Sequence, residues 1–225
     1  MKYVWAFIGV IALIDVIACV VFISGPSDGW LRGLFVSEDS LVENLTAGLY
    51  FLTILLALVW LNIRSMRNTP NRKVLILLAV LGLVGFLEEV SYGERLFGID
   101  MPVVGGMKVD ALHDFLTIGV DLVLGLAGIY QLLILLALLG VIALSLPAIV
   151  KYVREHWDAD VVHRYYPAYL IASLFIVLIF FAFVLDTNRF EFPGFRALEE
   201  CFELNAALAL LTASFLIYKI ATDSR

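Results

Sequence analysis

The residues of this 225-residue chain with the most evident chemistry are acids set at the ends of long apolar runs. Glu38, Asp39, Glu43 and Asn44 open one run, and Glu88, Glu89, Ser91, Tyr92, Glu94 and Arg95 close the next. Asp110, His113, Asp114, Thr117 and Asp121 lead into a third, and Glu199, Glu200, Glu203 and Asn205 open the last. Oxygen donors with a single imidazole suit hard or borderline divalent cations: calcium, manganese, iron or zinc. The same groups, set in an apolar medium, can instead hold and relay protons. The candidate ligands are Glu43, Glu88, Glu89, Asp110, His113, Asp114, Glu199, Glu200 and Glu203. Helical spacing gathers several of them. Glu199 and Glu203 are four residues apart and share a face, with Glu200 beside it. Positions 110, 113, 114, 117 and 121 make one polar stripe with His113 in its middle.

The elements that must position these groups are membrane spans. The composition is 62% hydrophobic and 16% charged, against roughly half and a quarter for a soluble domain. A span needs about 20 mostly apolar residues. Six are expected, near 3–24, 43–63, 74–91, 125–147, 166–186 and 198–218, in a single all-α domain. An amphipathic approach helix over about 109–124 accounts for the excess length before the fourth. Tyr3 to Ser24 mimics a signal peptide, but it is longer than the usual h-region of about 7–15 residues, and it reads as a retained span. Trp5, Trp30, Trp60 and Trp157 fall near span ends, where an aromatic belt is expected.

Lys and Arg set the orientation. With both termini cytoplasmic, ten basic residues lie inside, in segments such as Arg64–Lys73 and Lys151–Trp157 with Arg164 beyond, and five lie outside. His156 and His163 fall in that second inner loop. The acids were not used to orient the chain, yet sixteen of the 21 fall at the outer face. Asp15 lies within the first span, where pairing, protonation or helix packing are all open to it. Glu89 is sixteen residues from Lys73, and Glu203 is sixteen from Lys219. That is about 24 Å of helix, short of a hydrocarbon layer of roughly 30 Å. Both carboxylates are therefore expected below the outer boundary, where a charge costs several kcal/mol unless it has partners or water. The helix dipole favours Glu43 and Glu199 near N-termini and disfavours Glu88 and Glu89 at a C-terminus. A proton, Arg95 or a cation would relieve that pair.

Other chemistries are excluded or unsupported. The net charge of −6 argues against nucleic acid as a partner. No zinc-type cysteine pair occurs: Cys19 and Cys201 stand apart in apolar runs and read as buried thiols, with a disulfide as the alternative. There is no Gly-x-Ser-x-Gly elbow, no His-Glu-x-x-His and no Walker loop.

The run Glu88-Glu-Val-Ser-Tyr-Gly-Glu-Arg-Leu-Phe-Gly98 resembles a signature of uncharacterised bacterial multi-span membrane proteins, Glu-Glu-Ile-Ser-Trp-Gly-Gln-Arg-(Leu/Ile)-Phe-Gly followed by an acid-x-x-His-Asn element. Here Tyr92 stands for Trp, Glu94 for Gln, and Asp110-Ala-Leu-His113-Asp114 for the second element. The resemblance covers about residues 38–115 and the Glu199–Glu203 helix start, and it implies a bacterial inner-membrane location with no assigned activity. A weaker resemblance, in Glu38-Asp-Ser-Leu-Val-Glu-Asn44, is to the alkaline ceramidase-like membrane hydrolases. Their histidine metal site has no counterpart here, since no His-x-x-x-His occurs. The Asp110-x-x-His113 and Glu200-x-x-Glu203 spacings are similar to those of carboxylate-bridged dimetal bundles, which carry a second histidine.

Three functions fit these residues. A metal-dependent enzyme would activate water against a lipid or envelope substrate. An ion- or proton-coupled transporter would use the acids as a path. A non-catalytic subunit would use them as salt bridges to partner membrane subunits or to further copies of the chain.

Overall fold

In the computed structural model, the described residues are 2–24, 40–63, 72–91, 94–98, 100–104, 107–109, 159–186 and 195–223, with scattered single positions between 114 and 151. Five long helices are α1 (Lys2–Ser24), α2 (Leu41–Asn62), α3 (Arg72–Glu89), α5 (Ala159–Asp186) and α6 (Phe195–Asp223). A one-turn helix, α4 (Glu94–Phe97), follows α3. The chain divides into two compact units, one of Met1–Asp100 with Tyr165–Arg225 and one of Met101–Arg164.

Three helices, Leu41–Asn62, His163–Leu185 and Ala197–Asp223, are long and apolar enough to cross a bilayer. Large apolar side chains stay exposed along α1, α2, α3 and α5, among them Trp5, Leu13, Leu58, Leu77, Ile176 and Phe180. Water would penalise such a surface, whereas lipid contact suits it. These features point to an all-helical membrane protein.

The helices α1, α2 and α3 lie close to the apolar stretches 3–24, 43–63 and 74–91, whereas α5 begins well before 166 and α6 runs beyond 198–218 at both ends. His163 and Arg164, read from sequence as part of a basic loop, lie on α5 and are exposed. The helix continues upstream through Pro167, a residue tolerated in membrane helices because neighbouring groups re-satisfy the freed carbonyl. The expected span 125–147 and the approach helix 109–124 lie outside the described residues apart from isolated positions.

In the first unit, α6 is the central helix, packed against α1, α2 and α3. It is buried on nearly every side, through Cys201, Asn205, Ala206, Ala209, Leu210, Ala213, Ser214 and Ile217. Small residues let backbones approach closely where lipid offers no hydrophobic drive between helices. The buried stripe of α2 is Val42, Thr46, Tyr50, Thr53, Ala57 and Trp60, one face at helical spacing. That of α3 is Leu75, Leu78 and Gly82, and Gly85 and Glu89 continue it in register.

Trp60 corrects one expectation. It is buried rather than in a lipid-facing belt, stacked on Tyr218 of α6 at 4.9 Å with the rings 7° from parallel. Trp5 remains 66% exposed, as a belt residue would be. Trp30 and Trp157 lie outside the described residues.

The second unit contains a small antiparallel hairpin, Val103–Val104 with Met107–Lys108. Val103 pairs with Lys108 and Val104 with Met107. Val109 extends the ladder by donating its N–H to the Pro102 carbonyl at 2.9 Å.

Candidate functional site

Tyr50 is the residue on which carboxylates from two other helices act. It lies on the buried stripe of α2 and is only 1% exposed. The carboxylates of Glu89 and Glu88 from α3 and of Glu203 from α6 all act electrostatically on its phenol. Each of the four side chains is placed by its helix face. Glu89 sits one turn beyond Gly85, and the space that Gly85 leaves is filled by the Tyr50 ring. A Cβ at Gly85 would lie 2.6 Å from Tyr50 Cζ and 2.7 Å from Cε1. One turn earlier, a Cβ at Gly82 would stand 3.3 Å from the Tyr50 carbonyl oxygen. Two glycines thus let α2 and α3 approach, and they set the height of Glu88 and Glu89 relative to the phenol.

Glu88 and Glu89 are the last two residues of α3, so they face the partial negative charge of the final carbonyls. The chain then turns sharply. Val90 donates to the Phe86 carbonyl at 3.1 Å, and Ser91 adopts the left-handed region with φ 46°. After α4, Gly98 takes φ 63° and donates to the Glu94 carbonyl at 2.7 Å. The Glu88–Gly98 run is therefore a helix end, a left-handed residue, one helical turn and a second left-handed stop. Glycine suits the second of these because it has no Cβ.

Glu43 has a more local setting. Ser40 caps α2: its hydroxyl accepts the Glu43 N–H at 3.1 Å, and its carbonyl accepts both the N–H and the side-chain amide of Asn44, at 3.1 and 2.9 Å. Ser40-x-x-Glu43 is the capping-box spacing, a sequence signal not used in selecting Glu43 as a ligand. Glu43 does sit in the first turn, where the dipole favours it. Glu199 does not, because α6 begins at Phe195 and its first turn holds no acid. Glu199 and Glu200 lie one turn before Glu203 on α6. Glu43, Glu199 and Glu200 are all half-buried.

Asp110 and His113 lie outside the described residues; Asp114 is described and half-buried, within the second unit. Among the described residues, no three His, Cys, Asp or Glu side chains are grouped as a metal site. Cys201 is fully buried on α6, and nothing is described of the Cys19 side chain.

A second polar contact lies on a different side of α6. Asn205 is completely buried, and its Nδ2 donates to Asp15 Oδ1 of α1 at 2.6 Å. Asp15 falls on the stripe of α1 that turns inward, beside buried Ile11 and Ala18. Three other buried polar side chains of the bundle are satisfied within their own helices. Thr46, Thr53 and Ser214 each donate to a carbonyl four residues back, at 2.9 Å. Sequence reasoning noted both Asp15 and Asn205 but did not pair them.

Comparison with protein-family models, with curated proteins and with solved structures returned no match.

Proposed function

We propose that this chain is a polytopic inner-membrane protein of about six spans, with both ends on the cytoplasmic side. In this reading, Glu88, Glu89 and Glu203 form a proton- or cation-binding site around Tyr50 near the outer face. The supporting observation is a fully buried phenol acted on by three carboxylates from two other helices. Like charges gathered in a low-dielectric setting raise one another's proton affinity and attract cations. The depth of the second polar contact agrees with the topology. Asp15 is 13 residues from Lys2 and Asn205 is 14 from Lys219, about 20 Å in each case. The two meet at one level if those lysines share one boundary.

Of the three functions the sequence allows, ion- or proton-coupled transport fits this arrangement best. Asp15 and Asn205 supply polar groups deeper than Glu203, as a path through the bundle requires. A metal-dependent enzyme would draw in addition on Asp110, His113 and Asp114.

The test uses purified protein in vesicles loaded with a pH-sensitive dye, together with elemental analysis for calcium, manganese, iron and zinc. Proton or cation movement in the wild type, lost in Glu89→Gln and Glu203→Gln but kept in Asp223→Asn, is the expected result. Stoichiometric metal with no ion movement would replace the transport reading with the enzymatic one. Neither metal nor ion movement, or variants indistinguishable from wild type, would overturn the site.

A further inference from the structure

The pairing of Asp15 with Asn205 leaves one atom unexplained. Asn205 Nδ2 donates to Asp15 Oδ1, but the amide oxygen of the same side chain, Oδ1, is buried and accepts nothing among the described residues. Asn205 has no exposed surface, so bulk solvent does not reach it. Buried amide oxygens are nearly always paired, and each exception calls for a reason.

The protonation state of Asp15 supplies one. An ionised carboxylate is acceptor-only. Against it, the Asn205 amide can satisfy its N–H but not its oxygen. Turning the amide over sets two acceptors against each other. A protonated carboxyl removes the conflict, because acid and amide are complementary. The amide N–H donates to one carboxyl oxygen while the carboxyl O–H donates to the amide oxygen, closing a ring of two hydrogen bonds. The surroundings act in the same sense. Asp15 lies in the middle of an apolar helix, and ionising it there would place a charge in hydrocarbon. The polar partner it has is Asn205 of α6, and among the described residues no charged side chain of α5 or α6 acts on it. On α6, Glu203 is the nearest acid in sequence to Asn205, two residues away, and its carboxylate acts on the Tyr50 phenol.

We infer that Asp15 and Asn205 form a proton-binding site inside the bundle, with Asp15 held as a neutral carboxylic acid whose O–H is accepted by Asn205 Oδ1. The site does not depend on the outer carboxylates for its chemistry, and it gives a proton a defined resting place between α1 and α6. Binding is simple proton transfer: Asp15 Oδ2 gains the proton and its charge is cancelled. Release needs the amide oxygen to give up its donor.

Infrared spectroscopy of the full-length protein in lipid nanodiscs at neutral pH tests this. The expected spectrum contains a carboxylic C=O stretching band that is lost in Asp15→Asn and kept in Glu203→Gln. In Asn205→Leu the band moves to higher wavenumber, because the acceptor of the O–H is gone. Asp15→Asn should also leave the thermal midpoint close to wild type, since the new amide N–H donates to Asn205 Oδ1 in place of the O–H. A carboxylic C=O region identical in wild type and Asp15→Asn, with a carboxylate band lost in the variant, would show an ionised Asp15 and overturn the inference. So would a carboxylate band that shifts on adding sodium in the wild type and is missing in Asp15→Asn, which would make a cation the occupant. A carboxylic band unmoved in Asn205→Leu would remove Asn205 as the acceptor.

Discussion

Replacing Gly85 by alanine tests the packing that sets the height of the acidic site. The added methyl would lie 2.6, 2.7 and 2.8 Å from Tyr50 Cζ, Cε1 and Cε2, well inside the 3.5–4.0 Å optimum for carbon contacts. The obstacle is the outer end of an aromatic ring that is 1% exposed, so the ring cannot swing into lipid. Overpacking of this kind costs about 1–3 kcal/mol. Alanine returns about 1 kcal/mol of helix propensity over glycine. A clash with three ring atoms belongs at the upper end of the overpacking range, so a net loss of about 1–2 kcal/mol is expected. For a chain of this size that lowers the midpoint by about 2–8 °C. Gly48→Ala is the control, because a Cβ there meets nothing within 4 Å. Thermal unfolding of purified protein in one detergent, followed by the loss of the monodisperse peak, reads both. Adding Tyr50→Leu to Gly85→Ala should recover part of the loss, so that the double variant is less damaged than the sum of the singles. If Gly85→Ala is as stable as Gly48→Ala, the ring is not wedged against α3, and the account of how Glu88 and Glu89 are positioned fails.

Three further outcomes follow from the local geometry. Ser40→Ala removes the cap on the Glu43 N–H and should cost about 1 kcal/mol, whereas Ser40→Asp should hold the wild-type midpoint in the same unfolding assay. Trp60→Ala should cost about 3–5 kcal/mol as a buried large-to-small change. A double-mutant cycle with Tyr218→Leu should return a coupling of about 0.5–1.5 kcal/mol for the stacked rings, and a coupling near zero would mean the stack is incidental. Ser91→Gly relieves a left-handed residue and should raise the midpoint, given a strain of about 1 kcal/mol at such a position. A lower midpoint would show that the Ser91 side chain contributes more than its backbone strain costs.

The parts of this fold that were legible in the sequence are those governed by one variable. Apolar runs alone placed the helices α1, α2, α3 and α6, a signal that needs only length and composition. Counting sixteen residues from Lys73 and from Lys219 reaches Glu89 and Glu203, and both carboxylates act on the Tyr50 phenol. Tyr50 itself was invisible. A lone tyrosine inside an apolar helix looks like packing, and only the glycines across from it reveal how close α3 comes. Gly82 and Gly85, three residues apart on the same face as Glu89, were the available signal. The Asp15–Asn205 contact joins residues 190 apart, and no local period encodes such a pairing. One overlooked cue was local: Ser40-x-x-Glu43 spells a cap. Trp60 misled because an aromatic near a span end carries the same sequence signature whether it faces lipid or a neighbouring helix.

The central place of α6 bears on the order in which the molecule is made. Synthesis proceeds from the N-terminus, so α1, α2 and α3 are made before the helix they all pack against exists. During that interval Asp15 has no Asn205 to meet, and Tyr50 has no α6 beside it. The early helices must therefore wait with the faces that α6 will cover still open. Of these four helices the last to be made is the one that closes the bundle, so their mutual packing completes only after α6 has been translated.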